Sequence, residues 1–221
     1  MHQPQIRNHD IAPAMNEIDF RLDSLSALFS PRSIAVVGAS SNPRKIGGIP
    51  LDYALRFGFD GALHAINSNA AEVQGVPTHA SLQAIGEPVD LAILAVPASS
   101  VEDAIEDAIA ARTKSVVLFT SGFSEMGGAG IAAQAHLSQR ARASGLRLIG
   151  PNCLGLMNMR RNTYATFWPA LESLRMPPGR IGLVSQSGAF GVYAYAMARA
   201  RGVGFSTWIT TGNEAEVQVA D

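Results

Sequence analysis

The sequence predicts an α/β fold built on a parallel β-sheet, followed by the start of a second α/β unit. Three observations predict this fold class. Short apolar runs alternate with longer helical patterns from Ile34 onward. The runs are continuously apolar, as expected for strands that helices cover on both faces. The pattern breaks after Gly150-Pro151 and resumes at Ile181.

Residues 1–23 mix Pro, Asn, His and charged residues without periodicity and are predicted to form a flexible N-terminal tail. A short helix is expected after Ser24. The first domain, residues 24–151, is predicted to contain five strands, which are Ile34–Val37, Leu63–Ile66, Leu91–Val96, Ser115–Phe119 and Leu146–Ile149. Five βα units of this kind form a doubly wound, Rossmann-like parallel sheet.

Helices are predicted between these strands at Gly47–Phe57, Ser99–Ala111 and Gly128–Ala143. Ser99 and Glu102 have the spacing of a capping box, which predicts that the middle helix begins at Ser99.

Residues 152–179 show no clear periodicity and are interpreted as a connecting segment. Residues 180–221 then predict one βαβ unit, with strands at Ile181–Val184 and Phe205–Thr210 and a helix at Gly188–Arg201. One such unit buries too little surface to offset the entropy of an independent domain. The sequence is therefore interpreted as part of a longer protein.

Composition argues against several functional classes. A net charge of −1 gives no electrostatic basis for binding nucleic acid or an anionic membrane. No apolar run is long enough to span a bilayer. A single cysteine and a polar N-terminus predict a cytoplasmic protein. The five histidines lack metal-ligand spacing, so no metal site is predicted.

The candidate ligand residues follow the predicted strands, because ligands of open parallel sheets bind outside the carboxyl ends of the strands. In the loop after the first strand, small residues allow backbone to approach a phosphate, and the following helix start supplies N–H groups. Arg44 and Lys45 add positive charge. The alternative is a βα turn that binds nothing, since a glycine-rich turn alone is a weak signal. The candidate loop runs from Gly38 to Gly48.

Three further strand ends carry suitable loop residues, and one extended site explains them better than separate coincidences. Pro97 stiffens its turn, or merely ends a strand. Cys153 would need a nearby base to act as a nucleophile and is interpreted as a structural residue. The candidate loops begin with Val96-Pro97 after the third strand, Thr120-Ser121-Gly122 after the fourth, and Gly150-Pro151-Asn152-Cys153 after the fifth.

The second unit begins with a strand that leads through Ser187-Gly188 directly into a helix, which predicts an anion site at the helix N-terminus. The alternatives are a capped helix without a ligand and a hydrolase nucleophile elbow, which lacks its first glycine here. A dinucleotide site is disfavoured because G-x-G-x-x-G spacing is absent and the second strand ends in Asn67-Ser68-Asn69 rather than an acid.

Taken together, these motifs resemble the ADP-forming acyl-CoA synthetases, relatives of the succinyl-CoA synthetase α subunit. The resemblance covers about residues 24–221 in unbroken order. It implies a CoA-binding Rossmann-like domain followed by the start of a flavodoxin-like ligase domain. The segments that carry it are 30–40 (SPRSIAVVGAS), Val96-Pro97, 120–125 (TSGFSE), 150–155 (GPNCLG) and 185–188 (SQSG).

The resemblance implies conversion of a carboxylic acid, CoA and ATP into acyl-CoA, ADP and phosphate through a phosphohistidine. The resemblance places the CoA phosphates at Gly38, Ala39, Ser40, Asn42 and Lys45, and the nucleotide or pantetheine arm at Val96, Pro97, Ser121 and Gly122. Asn152 and Cys153 would lie towards the thiol, and Ser187 with Gly188 would bind the phosphoryl group.

The phosphorylated histidine of the family is expected outside this chain, because no histidine follows His136. ATP or ADP and Mg would bind an ATP-grasp domain or β-type subunit, also outside it, and an oligomer is expected. This chain alone is expected to be inactive. Two alternatives stay open: a ligand-sensing module fused to an acetyltransferase, and an NAD(P)-binding oxidoreductase domain.

Overall fold

A computed structural model describes residues 25–221, and the predicted tail at residues 1–23 lies outside this range. Residues 25–29 are helical where the description begins. The strands are β1 (Ser33–Val37), β2 (Ala62–Ile66), β3 (Glu72–Val73), β4 (Val76–His79), β5 (Leu91–Leu94), β6 (Ser115–Leu118), β7 (Arg147–Ile149), β8 (Gly155–Asn158), β9 (Thr163–Thr166), β10 (Ile181–Ser185) and β11 (Phe205–Thr210). The helices are α1 (Ile49–Phe57), α2 (Val101–Ala110), α3 (Ala129–Ser144), α4 (Leu171–Leu174) and α5 (Gly188–Ala200).

The first sheet has seven strands in the order β3-β4-β2-β1-β5-β6-β7. All pairs are parallel except β3 with β4. The chain moves outward in one direction from β1 to β2 and in the other from β5 to β7. The strand order therefore reverses between β1 and β5, which is where a doubly wound sheet binds its ligands. The predicted α/β class and parallel sheet are confirmed.

The elements between β2 and β5 differ from the predicted repeat of strand and helix. The chain forms the short strands β3 and β4 and a 3-10 turn at Gln83–Ile85 instead of a helix. The predicted capping box is wrong. Helix α2 begins at Val101 after a 3-10 turn at Ala98–Ser100, and no side chain caps it.

The second sheet has four strands in the order β10-β11-β8-β9. Strands β10 and β11 are parallel, whereas β8 pairs antiparallel with both β11 and β9. Residues 152–179 were expected to be a connecting segment, but β8 and β9 lie inside them. Every residue of both strands is buried, so the segment lacks the alternation that marks a strand with one wet face.

Two of the three apolar clusters within residues 25–221 show how the sheets are supported. In the first, α2 buries Val101, Ala104, Ile105 and Ala108, the spacing of one helix face, against strands such as β5 that are buried at every position. In the second, the fully buried Trp208 stacks on Trp168, and Tyr195 meets Trp168 edge-on. Aromatic pairs of this geometry add to the free energy gained from burial.

The last described residues return from the second sheet to the edge of the first. The Ala215 N–H donates to the Gly150 carbonyl, and the Val217 N–H donates to the Leu148 carbonyl, each at 3.0 Å. Both donor residues are buried. This segment covers the otherwise open edge of β7, where unpaired backbone groups would promote aggregation. Among residues 25–221, the helices are too short or too polar for any of them to cross a bilayer.

Candidate functional site

A cleft of about 860 Å³ lies between the carboxyl end of the first sheet and the start of α5. Its volume is in the range of small-molecule and cofactor sites, about 300–1,000 Å³. Both sheets contribute to its walls. The lining residues are Ile46, Ala95, Val96, Pro97, Phe119, Thr120, Ser121, Asn152, Cys153, Leu154, Phe167, Gln186, Ser187, Gly188, Ala189 and Gly212.

The loop between β1 and α1 borders this cleft and is held in close backbone contact with itself and with β5. Gly38 has φ +82°, a left-handed conformation that favours glycine, and a Cβ there would lie 2.6 Å from the Ala95 carbonyl oxygen. A Cβ on Gly47 would lie 2.0 Å from the Gly38 carbonyl oxygen. Neither position can accept a side chain without backbone movement.

Two side-chain amides hold the same loop from outside: Gln74, which sequence reasoning missed, and Asn67, which it placed at the end of the second strand. The Gln74 Nε2 donates to the Ser40 carbonyl at 2.8 Å and to the Gly48 carbonyl at 3.0 Å. The Asn67 Nδ2 donates to the Ala39 carbonyl at 2.8 Å. Gln74 lies at the turn between β3 and β4, two strands that the sequence did not predict. No local pattern therefore marked it.

The donors of this loop differ from the expectation of a free helix N-terminus. The Ile49 N–H donates to the Lys45 carbonyl, and Pro50 has no N–H. Inside the loop, the Asn42 N–H donates to the Ser40 hydroxyl and the Arg44 N–H to the Asn42 side chain. What the loop offers an anion is charge: Arg44 and Lys45 are exposed and form no ion pair within residues 25–221.

The loops after β5 and β6 are joined at the cleft wall. The Thr120 hydroxyl donates to the Val96 carbonyl at 2.6 Å, and Val96, Pro97 and Ser121 line the cleft. Gly122 does not line it. Its N–H instead donates to the Glu125 carboxylate, so this predicted residue is bound within its own loop and not available to the cleft.

Glu125 closes the loop after β6. Burial raises the pKa of its carboxyl group, but hydrogen bonds from the Gly122 N–H, the Asn213 side chain and the Phe123 N–H together lower it further, so the net pKa is below the usual value. Glu125 is therefore ionised at neutral pH, and its charge is matched by donors from two parts of the chain.

After β7, Asn152 and Cys153 line the cleft with different roles. Asn152 is exposed, and its Nδ2 donates to the Asn213 Oδ1 at 3.2 Å. Cys153 is only 3% exposed, and its thiol donates to the Leu118 carbonyl at 3.4 Å. Burial raises the pKa of Cys153 to about 12. A neutral, buried thiol supports a structural role rather than a nucleophilic one.

The start of α5 forms the opposite wall. The Ser187 Oγ accepts the Phe190 N–H at 3.3 Å and so caps the helix. Within the described chain, the N–H groups of Gly188 and Ala189 make no hydrogen bond and sit at the positive end of the helix. A Cβ on Gly188 would lie 3.0 Å from the Leu154 Cγ, so this helix start packs directly on the loop after β7.

The structure brings most of the predicted residues together. Seven line the cleft, namely Val96, Pro97, Ser121, Asn152, Cys153, Ser187 and Gly188. Five form the neighbouring loop, namely Gly38, Ala39, Ser40, Asn42 and Lys45, and Ile46 of that loop lines the cleft. Among residues 25–221, no three His, Cys, Asp or Glu side chains are grouped to hold a metal ion.

Comparison with known proteins agrees with this geometry. A family model described as "CoA binding domain" matches residues 32–159, which include the loops after β1, β5, β6 and β7. The chain belongs to the CoA-binding domain family. Residues 178–221 match a second model, described as "Succinyl-CoA ligase like flavodoxin domain". The resemblance to ADP-forming acyl-CoA synthetases is confirmed.

Two relatives of this CoA-binding domain chain are alpha subunits of ligases. It is 33% identical to the alpha subunit of ADP-forming acetate–CoA ligase I of Pyrococcus furiosus, over 90% of this chain and 43% of that protein. It is 36% identical to the alpha subunit of ADP-forming acetate–CoA ligase II of the same organism, over 89% of this chain and 42% of that protein. Acetyl-coenzyme A synthetase 1 of Ca. Korarchaeum cryptofilum, solved in complex with phosphate and ADP, has 34% identity and a TM-score of 0.82, over 88% of this chain and 41% of that one. The chain thus spans less than half the length of these relatives.

Proposed function

We propose that this chain is the CoA-binding portion of an ADP-forming acyl-CoA synthetase. The full enzyme would convert a carboxylic acid, CoA and ATP into acyl-CoA, ADP and phosphate. One observation carries the proposal: a single cleft joins the strand-end loops of the CoA-binding domain to the N-terminus of α5. Such a cleft can hold a long thiol-bearing ligand at one end and a phosphoryl group at the other.

In this proposal the CoA phosphates lie beside the loop of Gly38, Ser40, Asn42 and Lys45. The exposed cations of the loop favour a polyanion, and its close-packed glycines hold the loop in its shape. The pantetheine arm follows the apolar edge at Val96 and Pro97.

The thiol end would lie near Asn152, facing the start of α5. There the open N–H groups of Gly188 and Ala189, with the positive end of the helix behind them, would bind the phosphoryl group that the family carries on a histidine. The thiol sulfur would attack the carbonyl carbon of an acyl phosphate, form the thioester bond and release phosphate. The Cys153 thiol takes no part, because it is buried and protonated.

The histidine and the ATP-grasp part, with ATP and Mg, would lie outside these 221 residues, on the same polypeptide or on a β-type subunit. Exposed apolar side chains on α5, which packs on the second sheet, support a covering partner. Phe190, Tyr193 and Met197 form one stripe along this helix. A helix that is apolar on both faces is normally buried. We keep a cytoplasmic, oligomeric enzyme as the expectation.

Calorimetric titration of the purified chain with CoA, and separately with NAD and NADP, tests the proposal. CoA should bind and the nicotinamide dinucleotides should not. Binding of NAD or NADP without CoA would refute the assignment of the cleft.

A second experiment concerns turnover. The chain alone should form no acyl-CoA from acetate, CoA, ATP and Mg. Acyl-CoA formation by the isolated chain would contradict the placement of the catalytic histidine outside it.

A further inference from the structure

Asn213, in the loop after β11, contacts three other loops around the cleft without lining it. Its side-chain Oδ1 accepts from the Asn152 Nδ2 at 3.2 Å. Its Nδ2 donates to the Gln134 Oε1 at 3.0 Å and to the Glu125 carboxylate. Both ends of the amide are therefore in use, by partners 61 to 88 residues away in sequence.

The backbone of Asn213 is equally engaged. Its N–H donates to the Pro151 carbonyl at 2.9 Å. Its carbonyl accepts from the Gln134 Nε2 at 3.2 Å. Because each polar group of this half-buried residue is paired, a change of side chain leaves several partners unsatisfied.

The partners of Asn213 belong to the walls of the cleft. Glu125 holds the N–H of Gly122 and so fixes the loop that carries Ser121. Asn152 is itself a wall residue. On the other side, Gly212 is tied to Gln186 by two hydrogen bonds, its own N–H to the Gln186 carbonyl and the Gln186 Nε2 to its carbonyl.

We infer that Asn213 is a positioning residue that sets the spacing between the two ends of the cleft. It fixes the loops after β6 and β7 relative to the segment that leads into α5. Given the proposed function, this spacing decides whether the CoA thiol can reach the phosphoryl pocket. The identity of the ligand in this inference rests on the proposed function, whereas the hydrogen bonds of Asn213 do not depend on it.

An exchange of side-chain groups tests this role. Asn213→Asp places a carboxylate against the Glu125 carboxylate, and two like charges at hydrogen-bond distance repel. Adding Glu125→Gln removes the like charge, because the new amide can donate to the new carboxylate while its oxygen still accepts from the Gly122 N–H; only the Phe123 N–H loses its acceptor. Asn213→Ala removes the side-chain contacts without adding charge.

Calorimetric titration with CoA gives the first readout. Asn213→Ala and Asn213→Asp should each weaken binding about tenfold, and the double variant Asn213→Asp/Glu125→Gln should bind CoA about threefold more tightly than Asn213→Asp. Folded single variants with wild-type affinity would overturn the inference, as would a double variant no better than Asn213→Asp.

Hydrogen exchange without ligand gives the second readout and separates the two hypotheses. In Asn213→Ala, backbone amides of residues 120–124 and 150–152 should exchange faster than in the wild type, with residues 38–48 unchanged. If the wild type binds no CoA, the proposed function fails while this pattern still supports the positioning role. Unchanged exchange in both loops would refute that role directly.

Discussion

Replacing Gly47 by alanine tests the loop between β1 and α1 as a ligand site. A Cβ on Gly47 would lie 2.0 Å from the Gly38 carbonyl oxygen, well inside the 3.0 Å below which such contacts do not occur. The two ends of the loop must therefore separate by about 1 Å, and forced repacking of this kind costs about 1–3 kcal/mol. For a chain of this size the melting temperature should fall by about 2–4 °C for each kcal/mol.

The effect on ligand binding follows from the same free energy. In the free variant, the loop opens and so avoids the clash of the new Cβ. If CoA binds only the closed loop, binding must close it again and bring back the strain. The CoA affinity of Gly47→Ala should then fall by about 5- to 150-fold. Titration calorimetry measures this loss directly, and thermal unfolding measures the accompanying change in stability.

Gly182→Ala is the matched control. Gly182 lies in β10 with no atom within 4 Å of its built Cβ, so the same substitution should leave CoA affinity unchanged. A Gly47→Ala protein that melts earlier but binds CoA as the wild type does would refute the reasoning. The loop spacing would then serve stability alone.

Three other changes have defined outcomes. Lys45→Glu should weaken CoA binding by charge repulsion, less so at high salt, whereas Arg142→Glu at the end of α3 should not; equal affinities at low salt would count against the loop. Cys153, with a pKa of about 12, should react with an aromatic disulfide reagent much more slowly in the native protein than in urea, and equal rates would show an accessible thiolate. Burial raises the pKa of Asp90, but hydrogen bonds from Lys114 and Arg32 lower it further, so its folded-state pKa lies below the usual value. Asp90→Asn should thus cost about 1–3 kcal/mol at pH 7, and urea unfolding should show this gap closing as the pH falls below about 4, because the unfolded-state carboxylate becomes protonated there before the folded-state one; a constant gap down to pH 3 would contradict the assignment.

The central part of the first sheet could be predicted because its physical cause is local. Strands β1, β5 and β6 are buried on both faces, so continuous apolar runs specify them. The ligand loops could be predicted for the same reason, since they must follow those strands. Strands β3 and β4 could not be predicted. They are only two and four residues long, and the sequence around them, with Gly75 and Pro77, is typical of a turn.

The contacts that hold the candidate site together had no local signal. Gln74 and Asn213 act through amides that reach residues far away in sequence. Nothing in the residues around them distinguishes these amides from surface ones. The Ser99–Glu102 spacing led to the opposite error. It has the spacing of a capping box, but no cap forms because the chain enters α2 through a 3-10 turn.

The return of residues 213–217 to β7 also limits how the cleft can move. The chain passes between the two sheets once between β7 and β8 and again after β11. A body held by two such crossings cannot swing freely about either one, and its easiest rotation is about the line that joins them. Both crossings lie at the end of the cleft that Asn152 and Gly212 line. Near the opposite end, the Tyr53 hydroxyl of α1 donates to the Trp168 carbonyl at 2.9 Å and Ile49 packs in the core of the second sheet, so rotation about that line is restrained as well and opening the cleft would break these contacts.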